Sequence, residues 1–352
     1  MSVLSALEII TRAVEIGASD VHLTVFRPPV YRVNGRLVSF DSDQVLTQDD
    51  TVRLAREIIP NEEVERNLKE KGQVDFSNAF PGIGRFRVNL YVQRGSMAAA
   101  IRIIPINVPN IDDLGLPPTV KEFAMKDTGL VLVTGVTGSG KSTTLAAMID
   151  LMNRTRSLHI LTLEDPIEYL HRHNKCIINQ REVGMDTVSF PLALRAALRQ
   201  DPDVIMVGEM RDLETISTAI TAAETGHLVL ASLHSGSASQ TVARIIDVFP
   251  PEQQTQIRVQ LANSLQGIVS QQLVPRIDGK GRVVAVEVLV ATPAVRNLIR
   301  ENKIHQIYSV LQTSAGTGMI TMEKSLRSLY DRGLISLEEL NRRLANKEMK
   351  IF

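Results

Sequence analysis

Leu130-Val131-Leu132-Val133-Thr134-Gly135-Val136-Thr137-Gly138-Ser139-Gly140-Lys141-Ser142-Thr143-Thr144-Leu145 decides the architecture of this chain. An apolar run of strand length leads into a glycine-rich octet of the form G-x-x-x-x-G-K-[ST], and the octet opens a helix. Gly135, Gly138 and Gly140 let backbone N–H groups curl around phosphate oxygens, and the helix N-terminus adds partial positive charge. Lys141 is placed to reach β and γ oxygens and Ser142 to hold magnesium. The expected nucleotide-contacting set is therefore Gly135, Thr137, Gly138, Ser139, Gly140, Lys141, Ser142 and Thr143.

A phosphate cradle alone does not hydrolyse anything; a group must orient water, and others must neutralise developing charge. Chemistry in open α/β sheets gathers at the carboxyl ends of strands, so acids following apolar runs are the candidates. Glu164 and Asp165 follow His159–Leu163, and Glu209 follows Val204–Val207. Where aspartate usually ends such a strand this chain has Gly208, leaving Glu209 as the magnesium-side acid and Glu164 to position or deprotonate water. Asp165, before Pro166, reads equally as a helix cap or a solvated turn residue.

His227 and His234 bracket the apolar run Leu228–Ser232. Each reads either as a structural histidine or as a sensor of the γ-phosphate. His171, His173 and Cys176 cluster, yet no fourth ligand follows at a familiar spacing, so no metal site is expected there. Arg85, Arg87, Arg94 and Arg102 fall on expected strands near the N-terminus, with Arg85 and Arg87 on one face. They read as solvated strand residues or, in a ring of subunits, as fingers reaching a neighbour's γ-phosphate.

Outward from the loop, strand-length apolar runs alternate with helical patterns from Leu130 to Ser232, the mark of a parallel sheet buried on both faces. Upstream, short alternating segments at Val21–Thr24, Val30–Val33, Arg36–Phe40, Val74–Ala79, Gly84–Gln93 and Met97–Ile104 predict strands, with a turn at Asn34–Gly35. A helical stretch over Thr51–Lys71 separates the two groups, so the first hundred or so residues read as a small α+β domain. Pro105, Pro109, Pro117 and Pro118, with Asn107 and Asn110 among them, suit a connector. From Glu252 onward the pattern is mainly helical, interrupted by a hairpin through Leu273–Leu289 turning at Asp278–Gly279. The division is thus 1–104, a connector at 105–119, an ATPase domain over 120–290 and a helical region over 291–352.

The 352 residues are 44% hydrophobic and 22% charged, the usage of an ordinary folded chain. Lys plus Arg and Asp plus Glu both number 39, so no global charge draws the chain onto nucleic acid or an anionic membrane. The single cysteine, Cys176, forms no internal disulfide, which fits a reducing compartment. No run approaches the roughly 20 apolar residues of a membrane span. Residues 1–17 read as an amphipathic helix rather than a secretory signal.

The loop, Leu163-Glu164-Asp165-Pro166-Ile167-Glu168, Gly208-Glu209-Met210-Arg211-Asp212, and Thr225-Gly226-His227 with Leu233-His234 together resemble the secretion ATPase superfamily of type II secretion and type IV pili. The acidic segment is similar to that family's Asp box and the histidine segment to its His box. Ala18-Ser19-Asp20-Val21-His22-Leu23 resembles the opening of its PAS-like N-terminal domain, and Gly84-Arg85-Phe86-Arg87-Val88-Asn89 with Gln93-Arg94-Gly95 its arginine-bearing strands. Ala294-Val295-Arg296-Asn297-Leu298-Ile299-Arg300-Glu301 is similar to a motif of the PilT-type pilus retraction ATPases, with Val295 in place of the commoner isoleucine.

The resemblance implies an α/β fold: a RecA-like P-loop ATPase domain, a smaller PAS-like α+β domain and a helical C-terminal lobe. It implies a catalytic role for Glu164, an atypical Walker B role for Glu209, His-box positions at His227 and His234, and nucleotide-approaching arginines at Arg87 and Arg94. It further implies ATP and magnesium, and a cytoplasmic homo-hexamer peripheral to the inner membrane through a polytopic platform protein. A paralogous accessory ATPase is a further expected partner, or the alternative identity; nucleic acid is not an expected partner, although a nucleic-acid-translocating ring is the other alternative. Assembly and type II secretion members carry a further N-terminal domain and a four-cysteine zinc site, and neither is expected here.

Overall fold

Residues 4–33, 35–40, 44–105 and 108–348 are described by the computed structural model. Asn34 of the expected turn and Asn107 of the expected connector lie outside them. By backbone packing the chain divides into two units, Met1–Asn107 together with Glu168–Leu170, and Val108–Ile167 together with His171–Phe352.

In the first unit, α1 (Ala6–Glu15) starts at a capping box in which Ser5 and Glu8 satisfy each other's backbone N–H groups. Strands β1 (Asp20–Leu23), β2 (Val30–Val33) and β3 (Arg36–Val38) follow. The single helical stretch expected over Thr51–Lys71 is two helices, α2 (Gln48–Ile58) and α3 (Glu62–Lys71). Pro60 explains the break: the residue before a proline is pushed out of the helical region, and Ile59 is extended at φ −64°, ψ 124°. Asn61 then caps α3, which ends at left-handed Gly72.

The strands β4 (Gln73–Phe80), β5 (Gly84–Gln93) and β6 (Ser96–Ile103) complete an antiparallel sheet in the order β3-β2-β1-β6-β5-β4. One face buries Phe86, Val88 and Leu90 against Ile9, Ile10, Leu54 and Ile58 of the helices. Arg85 and Arg87 alternate with that buried row, on the opposite face of β5.

The second unit begins with α4 (Pro118–Ala124), whose proline occupies the first turn. It continues through β7 (Gly129–Thr134), α5 (Lys141–Thr155), β8 (His159–Glu164), β9 (Ile177–Glu182), α6 (Phe190–Ala197), β10 (Val204–Val207), α7 (Leu213–Glu224) and β11 (Leu228–Leu233). Then come α8 (Ala238–Asp247), α9 (Pro251–Ser264), β12 (Leu265–Pro275), β13 (Arg282–Val290), α10 (Pro293–Arg300), α11 (Ile307–Thr313), α12 (Met322–Asp331) and α13 (Leu337–Glu348). The sheet order is β13-β12-β7-β11-β10-β8-β9, parallel throughout except for β13.

Alternate residues of each central strand serve two cores. Leu130 and Leu132 of β7 pack with α6, α7, α8 and α9 on one face, while Val131 and Val133 pack with α4 and α5 on the other. That two-sided burial is why these strands read as unbroken apolar runs. The C-terminal helices split: α10 and α11 join the first of these cores, whereas α12 and α13 close a separate cluster over Val274 and Ala285.

The expected hairpin is longer and more central than its sequence suggests. β12 starts at Leu265, well before Leu273, and pairs in parallel with β7, so it is an interior strand of the nucleotide-loop sheet. A buried apolar run following a helix has no periodicity to separate it from more helix. β9, which the alternation of Ile177–Glu182 leaves half exposed, was also not expected.

Candidate functional site

The site starts from β7, all six residues of which are buried. The chain leaves it at Gly135 with φ 147° and passes Gly138 at φ 75° and Gly140 at φ 90°, conformations that L side chains rarely adopt. A Cβ on Gly135 would also collide with Gln271 O of β12 and with Ser139 Oγ. Thr137 and Gly138 form the exposed crest, while Ser139 is buried, and its hydroxyl has no partner among the described residues. Lys141 Nζ folds over the loop, donating to Gly135 O at 3.0 Å and Val136 O at 3.3 Å. The N-cap of α5 is Gly140, which has no side chain to cap the helix, and Lys141, Ser142 and Thr143 form the first turn. An uncapped helix N-terminus, left-handed glycines and a lysine together fit a polyphosphate.

Parallel register brings the other candidates to the same end of the sheet. Leu163 pairs with Val207, Val207 with Ala231, and Leu233 with Thr134, so Glu164 ends its strand and Glu209, His234 and Gly135 follow theirs, all at carboxyl ends. Glu164 is 7% exposed; its Oε1 accepts from Thr162 Oγ1 at 2.7 Å and from Gln180 Nε2 at 3.1 Å. Glu209 Oε1 lies 3.0 Å from His234 Nε2, and Oε2 accepts from Arg211 Nη2 at 2.7 Å. Partial burial pushes the Glu209 carboxyl up, but Arg211 and His234 outweigh it and hold the group below the ordinary carboxylate range. An ionised carboxylate and the Ser142 hydroxyl are the hard oxygen donors that magnesium takes, so the residues fit that ion.

Gly208, where aspartate is commoner, has a steric reason. Its N–H donates to Leu163 O at 2.7 Å, and a Cβ there would stand 3.1 Å from Leu163 O and 3.3 Å from Glu164 Cα. A side chain there would crowd the backbone of β8 beside Glu164, which would have to give by a few tenths of an ångström. Asp212 caps α7 through Thr215 N at 2.8 Å. Asp165 is exposed, and its peptide bond to Pro166 is cis, with no helix following.

His227 is not brought to this end. It precedes β11 whereas His234 follows it, and six strand residues put roughly 20 Å between them. His227 Nδ1 lies 3.0 Å from Ala222 O, beside a polar cavity of about 300 Å³ that Arg156 and Asp203 also line. Within one chain, then, His234 joins the phosphate end and His227 stands at the opposite edge. Arg87 is exposed on β5 directly across from Arg102, and Arg94 occupies the β5–β6 turn; both belong to the first unit.

His171, His173 and Cys176 do local work. Gln180 Oε1 accepts from His171 N at 2.8 Å, His173 Nδ1 accepts from Ile178 N at 3.0 Å, and Cys176 Sγ donates to Arg156 O at 3.2 Å. Burial drives the His171 imidazole from 6.5 down to about 4. Sequence reasoning missed Gln180 and Thr162 beside Glu164, and Gln271 beneath the phosphate loop. Thr162 and Gln271 are polar residues inside otherwise apolar stretches, and that interruption was the one signal available; Gln180 stands among the polar residues of β9, where nothing marks it out.

A family model described as "Type II/IV secretion system protein" matches residues 3–281. A type IV pilus retraction ATPase, PilT, of Pseudomonas aeruginosa is 48% identical, covering 94% of this chain and 95% of its own. A twitching motility protein of Neisseria gonorrhoeae is 46% identical over 100% of this chain and 92% of its own. A crystal structure of the pilus retraction motor PilT with bound ADP superposes with a TM-score of 0.89 at 53% identity, covering 96% of each chain.

Proposed function

The chain belongs to the PilT-type retraction ATPases of the type II/IV secretion family, and from that premise we propose that it couples ATP hydrolysis to removal of pilin from the base of a type IV pilus. The observation that carries the reading is the shared strand end: phosphate loop, buried Glu164 and the Glu209–His234 pair all lie at the carboxyl termini of parallel strands of one sheet.

In this reading the backbone N–H groups from Gly135 to Thr143 and Lys141 hold the phosphates. Glu164, oriented by Thr162 and Gln180, positions the attacking water and takes its proton. Glu209 stays ionised, with His234 and Arg211 fixing its two oxygens. Ser142 and Glu209 would hold magnesium, which would supply neutralising charge when bound with the triphosphate. Arg87 and Arg94 are read as groups that complete a neighbour's site in a homo-hexamer, and His227 as a residue acting outside its own chain's phosphate end.

Movement between the two domains about the 105–119 connector would do the mechanical work. No helix among the described residues is long and apolar enough to cross a membrane. Docking on an inner-membrane platform protein at the cytoplasmic face, alongside a paralogous accessory ATPase, completes the reading; nucleic acid has no part in it.

Steady-state ATPase across a protein concentration series tests this, with Lys141→Ala as the inactive control. A cooperative rise with concentration is expected. Glu164→Gln is expected to bind ADP as the native chain does while turnover falls by roughly 10²–10⁴; undiminished turnover would remove Glu164 from its role.

A further inference from the structure

Gln271 is 3% exposed in the interior of the second unit's sheet, on β12, and its amide is forked across the phosphate loop. Nε2 donates to Ser139 O at 2.9 Å, and Oε1 accepts from Thr144 Oγ1 at 3.0 Å. The assignment of nitrogen and oxygen follows from chemistry, because a carbonyl oxygen only accepts, so the amide nitrogen must face Ser139.

We propose that Gln271 is a positioning residue that presets the direction of the Gly140 N–H toward bound phosphate. A trans peptide is planar, so the C=O of Ser139 and the N–H of Gly140 point opposite ways. Anchoring that carbonyl against β12 therefore turns the Gly140 N–H away from β12. Left-handed Gly140 would let this peptide rotate freely without such an anchor.

The same residue stands close to two of the loop's glycines, through its side chain at Gly140 and its backbone carbonyl at Gly135. A Cβ on Gly140 would stand 3.1 Å from Gln271 Nε2, and one on Gly135 would collide with Gln271 O. One strand residue thus closes on the loop at both ends. Preset donors need no reorganisation when phosphate arrives, which is where such positioning acts.

The inference rests on the nucleotide reading of this loop, and its test separates the two. ADP affinity and urea midpoint are measured on the full chain for the native protein, Lys141→Ala, Gln271→Leu, Gln271→Met and Thr144→Val. Failure of the native protein to bind ADP would sink the nucleotide reading itself. Given native binding, Gln271→Leu and Gln271→Met are expected to lose about five- to tenfold in affinity, the scale of one hydrogen bond. Gln271→Met keeps the length of the side chain with neither polar arm and adds no charge beside the phosphates, and it serves alone if Gln271→Leu does not fold. Thr144→Val removes only the other arm and is expected to stay within about twofold of native affinity even as its urea midpoint drops. Native ADP affinity in the Gln271 variants, or losses in Thr144→Val that match theirs, would overturn the proposal.

Discussion

Among the individual residues, His171 gives the clearest pH signature. Burial lowers its pKa from 6.5 to about 4, so between those values the unfolded chain binds a proton that the native chain refuses. Stability is therefore full above pH 6.5 and is lost as the pH falls toward 4, by at most about 3 kcal/mol. His171→Gln is expected to flatten this part of the profile, seen as a smaller drop in urea midpoint between pH 7 and pH 4.5 than in the native protein. An equal drop in both would assign the acid sensitivity elsewhere. The contrast with Lys141 shows what a sequence can carry at this scale. Lys141 was legible because its neighbours form a contiguous motif with one chemical use, and Glu164 because it ends an apolar strand near that motif. The shifted histidine, the Gln180 contact to Glu164 and the Gln271 fork depend on what lies across the sheet, and no local pattern encodes that.

Elements were legible wherever periodicity was unambiguous, and they failed where burial erased it. The central strands β7, β8, β10 and β11 ended within a residue of their expected bounds, whereas β12 was mistaken for helix until Leu273. The register of β12 is irregular between Leu265 and Gly267, and Gly267 lies under the ring of Phe123 on α4. A Cβ at Gly267 would stand 2.0 Å from Phe123 Cζ, well inside contact distance, so the ring and α4 beneath it would have to shift. Gly267→Ala is expected to cost about 1–3 kcal/mol, the usual range for overpacking a closed core. Equilibrium urea unfolding checks it, and Phe123→Leu in the same background should recover part of the loss by making room. A neutral Gly267→Ala would mean that α4 is not held where the ring contact puts it. The same strand carries Gln271 four residues further on, so a shift of β12 at Gly267 should also weaken ADP binding.

For the whole molecule, the fold class was legible because one strand–loop–helix motif restricts the sheet around it. Completion of the site was not, because the arginines that the family resemblance brings to nucleotide lie in the first unit. Arg94 nevertheless holds φ 49°, a left-handed conformation that glycine or asparagine would adopt at lower cost. A bulky residue kept in such a conformation motivates a functional reading of its side chain. If Arg94 completes a neighbour's site, Lys141→Ala and Arg94→Ala are each inactive alone for different reasons. One chain keeps its arginine and lacks the phosphate loop, and the other has the reverse. Mixed rings then regenerate an intact loop facing an intact arginine at roughly a quarter of interfaces under random assembly. Single-turnover hydrolysis at substoichiometric ATP counts those interfaces one by one, whatever the coupling around the ring. Recovery toward that fraction is expected after mixing; no recovery in rings shown by differential tagging to be mixed would put Arg94 back on the list of turn residues.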